Sequence, residues 1–368
     1  MPRIAVDAMG TEGAPRVEVE GVVSAVREKG VDVVLVGEAN RLRGELRALG
    51  MDDDGLVRVY DAPETITMAD SPSIAVKQKK KSSMRVCFDL VKSGEAAAVV
   101  SAGNSGAMMA CGLFVLGRLP GVERPAIVTT FPTKAGECAL LDMGANVDPK
   151  PAVLAQSAVL GAVYARLLHG KARPRVGVLS NGSEEHKGTG LTRDAHQMLA
   201  QIARLPGAGS GTSGGAGPAA DFDYVGYVEG RDIFRGEVDV VVTDGFTGNV
   251  VLKSVEGAAE VMLDMVREEV TRASPIVKLG ALLMKPALRR LRKRIDYAEH
   301  GGAPLLGVDG VALICHGGSN AKAIKNAVLV ADRFAQIGLG KELSDAVARH
   351  AVLWESPAPP VTSARGVS

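Results

Sequence analysis

Five short, polar, glycine-bearing segments hold the residues that could do chemistry. They are Ser101-Ala-Gly-Asn-Ser-Gly106, Asp142-Met-Gly-Ala-Asn146, Asn181 to Gly188, Asp244-Gly-Phe-Thr-Gly-Asn249 and His316-Gly-Gly-Ser319. Lys187, His186 and His316 are their prominent candidates for carrying charge or moving a proton. The set is poor in nucleophiles and bases and rich in groups that cradle an anion. It suits a reaction whose nucleophile arrives with the substrate. Inorganic phosphate attacking a thioester is such a reaction: phosphate needs no strong base, and a thiol with a pKa of about 8.5 leaves without a strong acid. The protein must then neutralise charge and offer N–H donors to a tetrahedral oxyanion.

Within this set Lys187 is the candidate to neutralise phosphate or the developing oxyanion, with an ordinary surface lysine as the alternative. Asn249 would donate its amide to the carbonyl or the phosphate; a helix-capping asparagine is the alternative. Asn104, Ser105 and Gly106 form either an anion nest or a tight turn. Asn146, Asp244, Thr247, Gly248 and His316 complete the predicted substrate- and phosphate-binding set, His316 with a structural role as its alternative. Asp142 and Asp244 read as residues that orient loops rather than as bases. No GxxxxGK[ST] or HExxH occurs, and no GxGxxG opens a helix, so the usual nucleoside-triphosphate, metalloprotease and dinucleotide fingerprints are missing.

The elements that must position these residues follow one pattern. Compact apolar runs such as Ile4–Asp7, Val31–Gly37, Ala96–Val100, Val176–Leu179, Val238–Thr243 and Val311–Cys315 suit strands buried on both faces. Helical spacing separates most of them, and Ala126–Phe131 with Cys138–Asp142 reads as a hairpin. Alternating strand and helix predict an α/β fold, a mostly parallel sheet in an α/β/α, Rossmann-like sandwich. Ligands gather at the carboxyl ends of such strands. All five loops fall at strand ends, so they are expected to converge on one pocket. A single α/β catalytic unit is expected over residues 1–355, with a flexible Gly/Ser-rich loop at 206–220 and a disordered tail at 356–368.

The chain has 368 residues and a formal net charge of +1, which gives no electrostatic bias toward nucleic acid. Four cysteines without CxxC spacing read as reduced core thiols of a cytoplasmic protein. The N-terminus enters a strand at once, with no signal-peptide pattern. Residues 96–117 carry no charge, but the SAGNSGA loop interrupts them where a membrane span needs continuity.

One accessory stretch stands out. Residues 272–295 hold eight basic residues and no acidic one, leaving 35 basic against 42 acidic residues elsewhere. Ile276, Leu279, Leu282, Leu283, Leu288 and Leu291 supply an apolar stripe, and Pro286 is expected to divide the stretch into two short helices. A protruding basic amphipathic pair spanning 271–296, with Lys285, Arg289, Arg290 and Lys293 beside the leucines, suits a membrane surface or an acidic partner. Burial in a dimer interface is the alternative.

With these segments together the chain resembles the bacterial phosphate acyltransferases of phospholipid synthesis, the PlsX-type acyl-carrier-protein:phosphate acyltransferases. The resemblance rests on IAVDAMG, DSPSIAVKQKKKSSM, SAGNSGA, LDMGANVDPKP, NGSEEHKG, VEGRDI, VVVTDGFTGNVVLKSVEG and GGAPLLGV…HGGS, in that order from Ile4 to about Gln336. It implies conversion of acyl-carrier protein and phosphate into acyl phosphate, on a fold similar to phosphotransacetylase and isocitrate-type dehydrogenases. It also implies a homodimer that needs no metal or organic cofactor, and a downstream glycerol-3-phosphate acyltransferase that uses the product; the basic pair adds the expectation of peripheral attachment to the inner face of the cell membrane. Ser105 stands where the family usually has Thr, and Thr11-Glu12 replaces the usual Gly-Asp.

Overall fold

The computed structural model describes residues 2–53, 55–202, 221–295 and 301–351. The predicted 206–220 loop and 356–368 tail lie outside the described residues. The first half alternates as expected. It runs β1 (Arg3–Asp7), α1 (Arg16–Lys29), β2 (Asp32–Gly37), α2 (Ala39–Ala48), β3 (Val57–Asp61), α3 (Pro72–Gln78), α4 (Ser83–Lys92) and β4 (Ala98–Ser101). Helix α5 (Ser105–Cys111) continues into a π-helical turn at Gly112–Leu116. The hairpin β5 (Ala126–Thr133) and β6 (Gly136–Leu141) follows, then α6 (Pro151–Leu168), β7 (Arg175–Leu179), α7 (Gly190–Ile202), β8 (Asp223–Val228) and β9 (Val240–Val242). The last elements are α8 (Gly245–Arg272), α9 (Pro275–Ile295), β10 (Ala303–Leu306), β11 (Val311–Ile314), α10 (Ala321–Ile337) and α11 (Leu339–Arg349).

Among the described residues all eleven strands join one sheet in the order β3-β2-β1-β4-β11-β10-β5-β6-β9-β7-β8. Alternate strand residues feed two apolar layers. Ile4 and Val6 of β1 face the layer under α1, α6, α10 and α11, while Ala5 faces the layer under α3, α4 and α5. This is the predicted α/β/α sandwich, mostly parallel. α6 is long and apolar enough to cross a membrane, but most of it is buried in the core.

The sheet departs from expectation in direction. β3, β2, β1, β4 and β11 run parallel to one another, and so do β6, β9, β7 and β8. Between these blocks β10 is antiparallel to both β11 and β5, and the β5–β6 hairpin reverses the chain again. The two blocks therefore point in opposite directions. β10 lies in Gly-Gly-Ala-Pro-Leu-Leu-Gly, a short, proline-bearing run to which the sequence reading assigns no element.

Helix α8 begins at Gly245, earlier than its periodicity from Val250 suggests. α9 is one helix of 21 residues, not two. It continues through Pro286 by giving up the bond its missing N–H would make to the carbonyl four residues back, while bonds on either side persist.

Candidate functional site

The loops after β6, β9 and β7 leave neighbouring strands at the same edge, since Leu141, Val242 and Val178 lie in register. Strands about 4.8 Å apart bring these three loops into one group.

In the β6 loop, Asp142 is only 3% exposed, and its carboxylate is ringed by N–H donors. Oδ1 accepts from the backbone of Ile127 and of Ala145, each at 3.1 Å. Oδ2 accepts from the Asn146 backbone at 2.6 Å and from its amide at 2.9 Å. Burial pushes the Asp142 pKa up, against the pull of these donors. The Asn146 amide also donates to the Pro125 carbonyl at 2.7 Å. Its predicted ligand role is therefore taken up by scaffolding.

The β9 loop is a helix start. Asp244 is the N-cap of α8, accepting from the Thr247 backbone at 2.8 Å and from its hydroxyl at 2.7 Å. Gly245 N–H donates to the Asn146 carbonyl at 2.7 Å, and Gly248 N–H to the Asp244 carbonyl. The N-terminal N–H groups expected to meet an anion are thus largely satisfied within the protein, and a carboxylate already occupies the positive end of the helix. Asp244 and Thr247 act on each other, and Gly248 packs directly on the Asp142 backbone. Asn249 is different. It is exposed, its side chain lies over Gly144, and among the described residues nothing engages its amide.

In the β7 loop the Asn181 amide oxygen accepts from Gly188 N–H at 2.9 Å, and Arg193 clamps the Gly188 carbonyl at 2.7 Å. Lys187 sits on this turn, half-buried, its stem over Gly182. Among the described residues no carboxylate pairs with its ammonium. A free cation and a free amide on adjacent loops are what an incoming phosphate requires.

A second group forms on the other strand block, after β1, β4 and β11. Asp7, fully buried at the end of β1, accepts the Ser101 hydroxyl at 2.6 Å, and Ser101 Oγ accepts from Gly103 N–H at 3.1 Å. Burial raises the Asp7 pKa, against the Ser101 bond. Asn104 caps α5 through Ala107 N–H and donates its amide to the carbonyls of Thr67, Met68 and Asp70. That is the tight-turn alternative, with the side chain fully engaged. Ser105 is exposed and Gly106 packs on Pro72. His316, also exposed, accepts from Gly318 N–H at 3.1 Å, and Glu12 N–H reaches the Gly317 carbonyl. The five loops are therefore gathered as two groups on oppositely directed blocks, where uniform alternation predicts one.

Sequence reasoning missed three supports: the Asp7–Ser101–Gly103 relay, the Arg193 clamp, and Glu18, which accepts from Thr11 N–H at 2.7 Å while wholly buried. A lone acidic residue ending the apolar strand Ile4–Asp7 was the available signal for the first. On α9, Leu279, Leu282 and Leu283 are exposed, as are Lys285 and Arg290. The side chains of Arg289 and Lys293 lie outside the described residues.

Comparison with known proteins now identifies the company this chain keeps. Residues 2–341 match the model of a family described as fatty acid synthesis protein. A phosphate acyltransferase of Geobacter sulfurreducens is 52% identical over 346 residues, covering 93% of each chain. One of Syntrophotalea carbinolica is 51% identical over 358 residues, covering 94% of this chain and 97% of the other. Among solved structures, a phosphotransacetylase from Streptococcus pyogenes superposes with a TM-score of 0.58 at 16% identity, over 91% of this chain and 93% of that one. The EutD phosphotransacetylase from Staphylococcus aureus gives 0.54 at 15%, over 91% and 94%.

Proposed function

The chain belongs to the fatty acid synthesis protein family, and from that we propose that it is an acyltransferase moving an acyl group onto inorganic phosphate for phospholipid synthesis. A phosphate oxygen attacks the thioester carbonyl, the tetrahedral oxyanion collapses, and the thiolate leaves with the carrier. Lys187 neutralises phosphate or oxyanion and Asn249 donates its amide to the same centre. The observation that carries this reading is the pair itself: on adjacent loops of one sheet edge, a cation without a carboxylate partner and an amide without an acceptor among the described residues. Exposed Ser105 and His316 on the other block, with Gly106 packed on Pro72 beside them, supply a second substrate contact in this reading.

The donor in this proposal is acyl-carrier protein. An acidic carrier fits the basic stretch 272–295, which has no acidic residue. The exposed leucines and cations of α9 also suit peripheral attachment to a membrane surface, placing acyl phosphate beside the bilayer and a glycerol-3-phosphate acyltransferase. Val261, Met262, Met265 and Val266 on α8 are exposed too, which supports pairing with a second copy. The unit over 1–355 acts as one catalytic domain in this reading.

The test is acyl phosphate formation from phosphate with acyl-carrier protein or acyl-coenzyme A as the thioester. Turnover on the carrier protein, at least tenfold above coenzyme A in kcat/KM, is expected. Preference for coenzyme A would replace the donor, and no acyl phosphate from either would reject the reaction.

A further inference from the structure

The first turn of α8, which carries Asn249, is capped by Asp244 and braced from outside the helix. It is seated on the β6 loop at three points. Gly245 N–H donates to the Asn146 carbonyl at 2.7 Å. Gly248 lies so close to the Asp142 carbonyl that no Cβ fits between them. Gly144, at φ +118°, faces the Asn249 side chain, whose Cβ and Cγ would be 3.8 and 3.9 Å from a methyl there. Any change in the 142–146 backbone therefore displaces Asn249.

That backbone takes its shape from one side chain. The Asp142 carboxylate gathers Ile127 N–H from β5, Ala145 and Asn146 N–H from its own loop, and the Asn146 amide. Met143 N–H adds a bond to the Ile127 carbonyl, so the loop is pinned to β5 from both directions. A buried group with four donors has no lone pair directed at a substrate and no room to exchange a proton. It is built to hold geometry.

We propose that Asp142 is a positioning residue of the acyl transfer, acting through the 142–146 loop to hold the Asn249 amide against phosphate or carbonyl. This rests on the functional reading given to Asn249 above. An amide displaced by about 1 Å loses much of its hold on a transition state, so the effect belongs in turnover.

A double-mutant cycle on kcat/KM for acyl phosphate formation, with the melting temperature recorded for each variant, tests it. Asn249→Ala is expected to lower kcat/KM about tenfold or more, and Asp142→Asn by a similar factor, because its amide turns a donor toward donors. The double variant should fall within about threefold of Asn249→Ala alone, since Asp142 acts only through Asn249. If Asp142→Asn does not fold, Asn146→Ala, which removes one donor of the four, runs through the same cycle with the same expectation. Multiplicative losses would overturn the positioning role while leaving Asn249 in the reaction. Full activity of Asn249→Ala would overturn the reading of Asn249 and the positioning role with it.

Discussion

Gly248 on α8 and Asp142 at the end of β6 meet backbone to backbone: a methyl group on Gly248 would overlap the Asp142 carbonyl oxygen. The contact locks the helix that carries Asn249 to the sheet edge beside Lys187. Gly248→Ala must separate the two, at a cost of at least about 1–3 kcal/mol. Chemical denaturation checks this, and a midpoint equal to wild type would contradict it.

Lys187→Ala should lower kcat/KM for acyl phosphate formation about tenfold or more, as loss of one oxyanion partner does. The turn beneath it, held by Asn181 and Arg193, should keep the variant's melting temperature at the wild-type value. Lys187→Arg retains the charge and should recover part of the rate. Equal rates for all three proteins would remove Lys187 from the reaction.

Glu18 ties Thr11 to α1, and among the described residues one of its carboxylate oxygens has no partner. Burial pushes its pKa up to about 7, with the Asp7 charge adding to the effect and Thr11 opposing it. A carboxyl raised above its unfolded value of 4.5 stabilises the fold fully below that value. The contribution is lost as pH rises toward 7 and beyond, about 3 kcal/mol in all. Glu18→Gln should flatten this fall between the unfolded value of 4.5 and the folded value of about 7. An unchanged pH–stability curve would count against it.

Leu282→Glu with Leu283→Glu places two charges on the exposed face of α9. Sedimentation with anionic liposomes should drop severalfold. Lipid binding equal to wild type would remove the membrane role from this helix.

Much of this was legible before any fold was known. Apolar runs such as Val240–Val242 suit strands buried on both faces, and the α/β/α layering follows from their alternation with helices. Lys187 and Asn249 stand out as a cation and an amide able to meet phosphate or an oxyanion, and both side chains remain unengaged among the described residues. Asn104, Asn146, Asp244 and Thr247 looked equally available, yet each is turned inward to a backbone or side-chain partner. Residue type states what a side chain can bond; it does not state which neighbour reaches it first.

The grouping of the loops was decided by tertiary structure alone. A strand's direction in a sheet depends on which distant strand pairs with it, and the short, proline-bearing β10 gives a weak local signal. Its antiparallel pairings, with the β5–β6 hairpin, set the two parallel blocks against each other and sent the loops of each block its own way. Sequence fixed the chemistry each loop could perform through side-chain type and spacing; long-range hydrogen bonding between strands determined which loops would stand together.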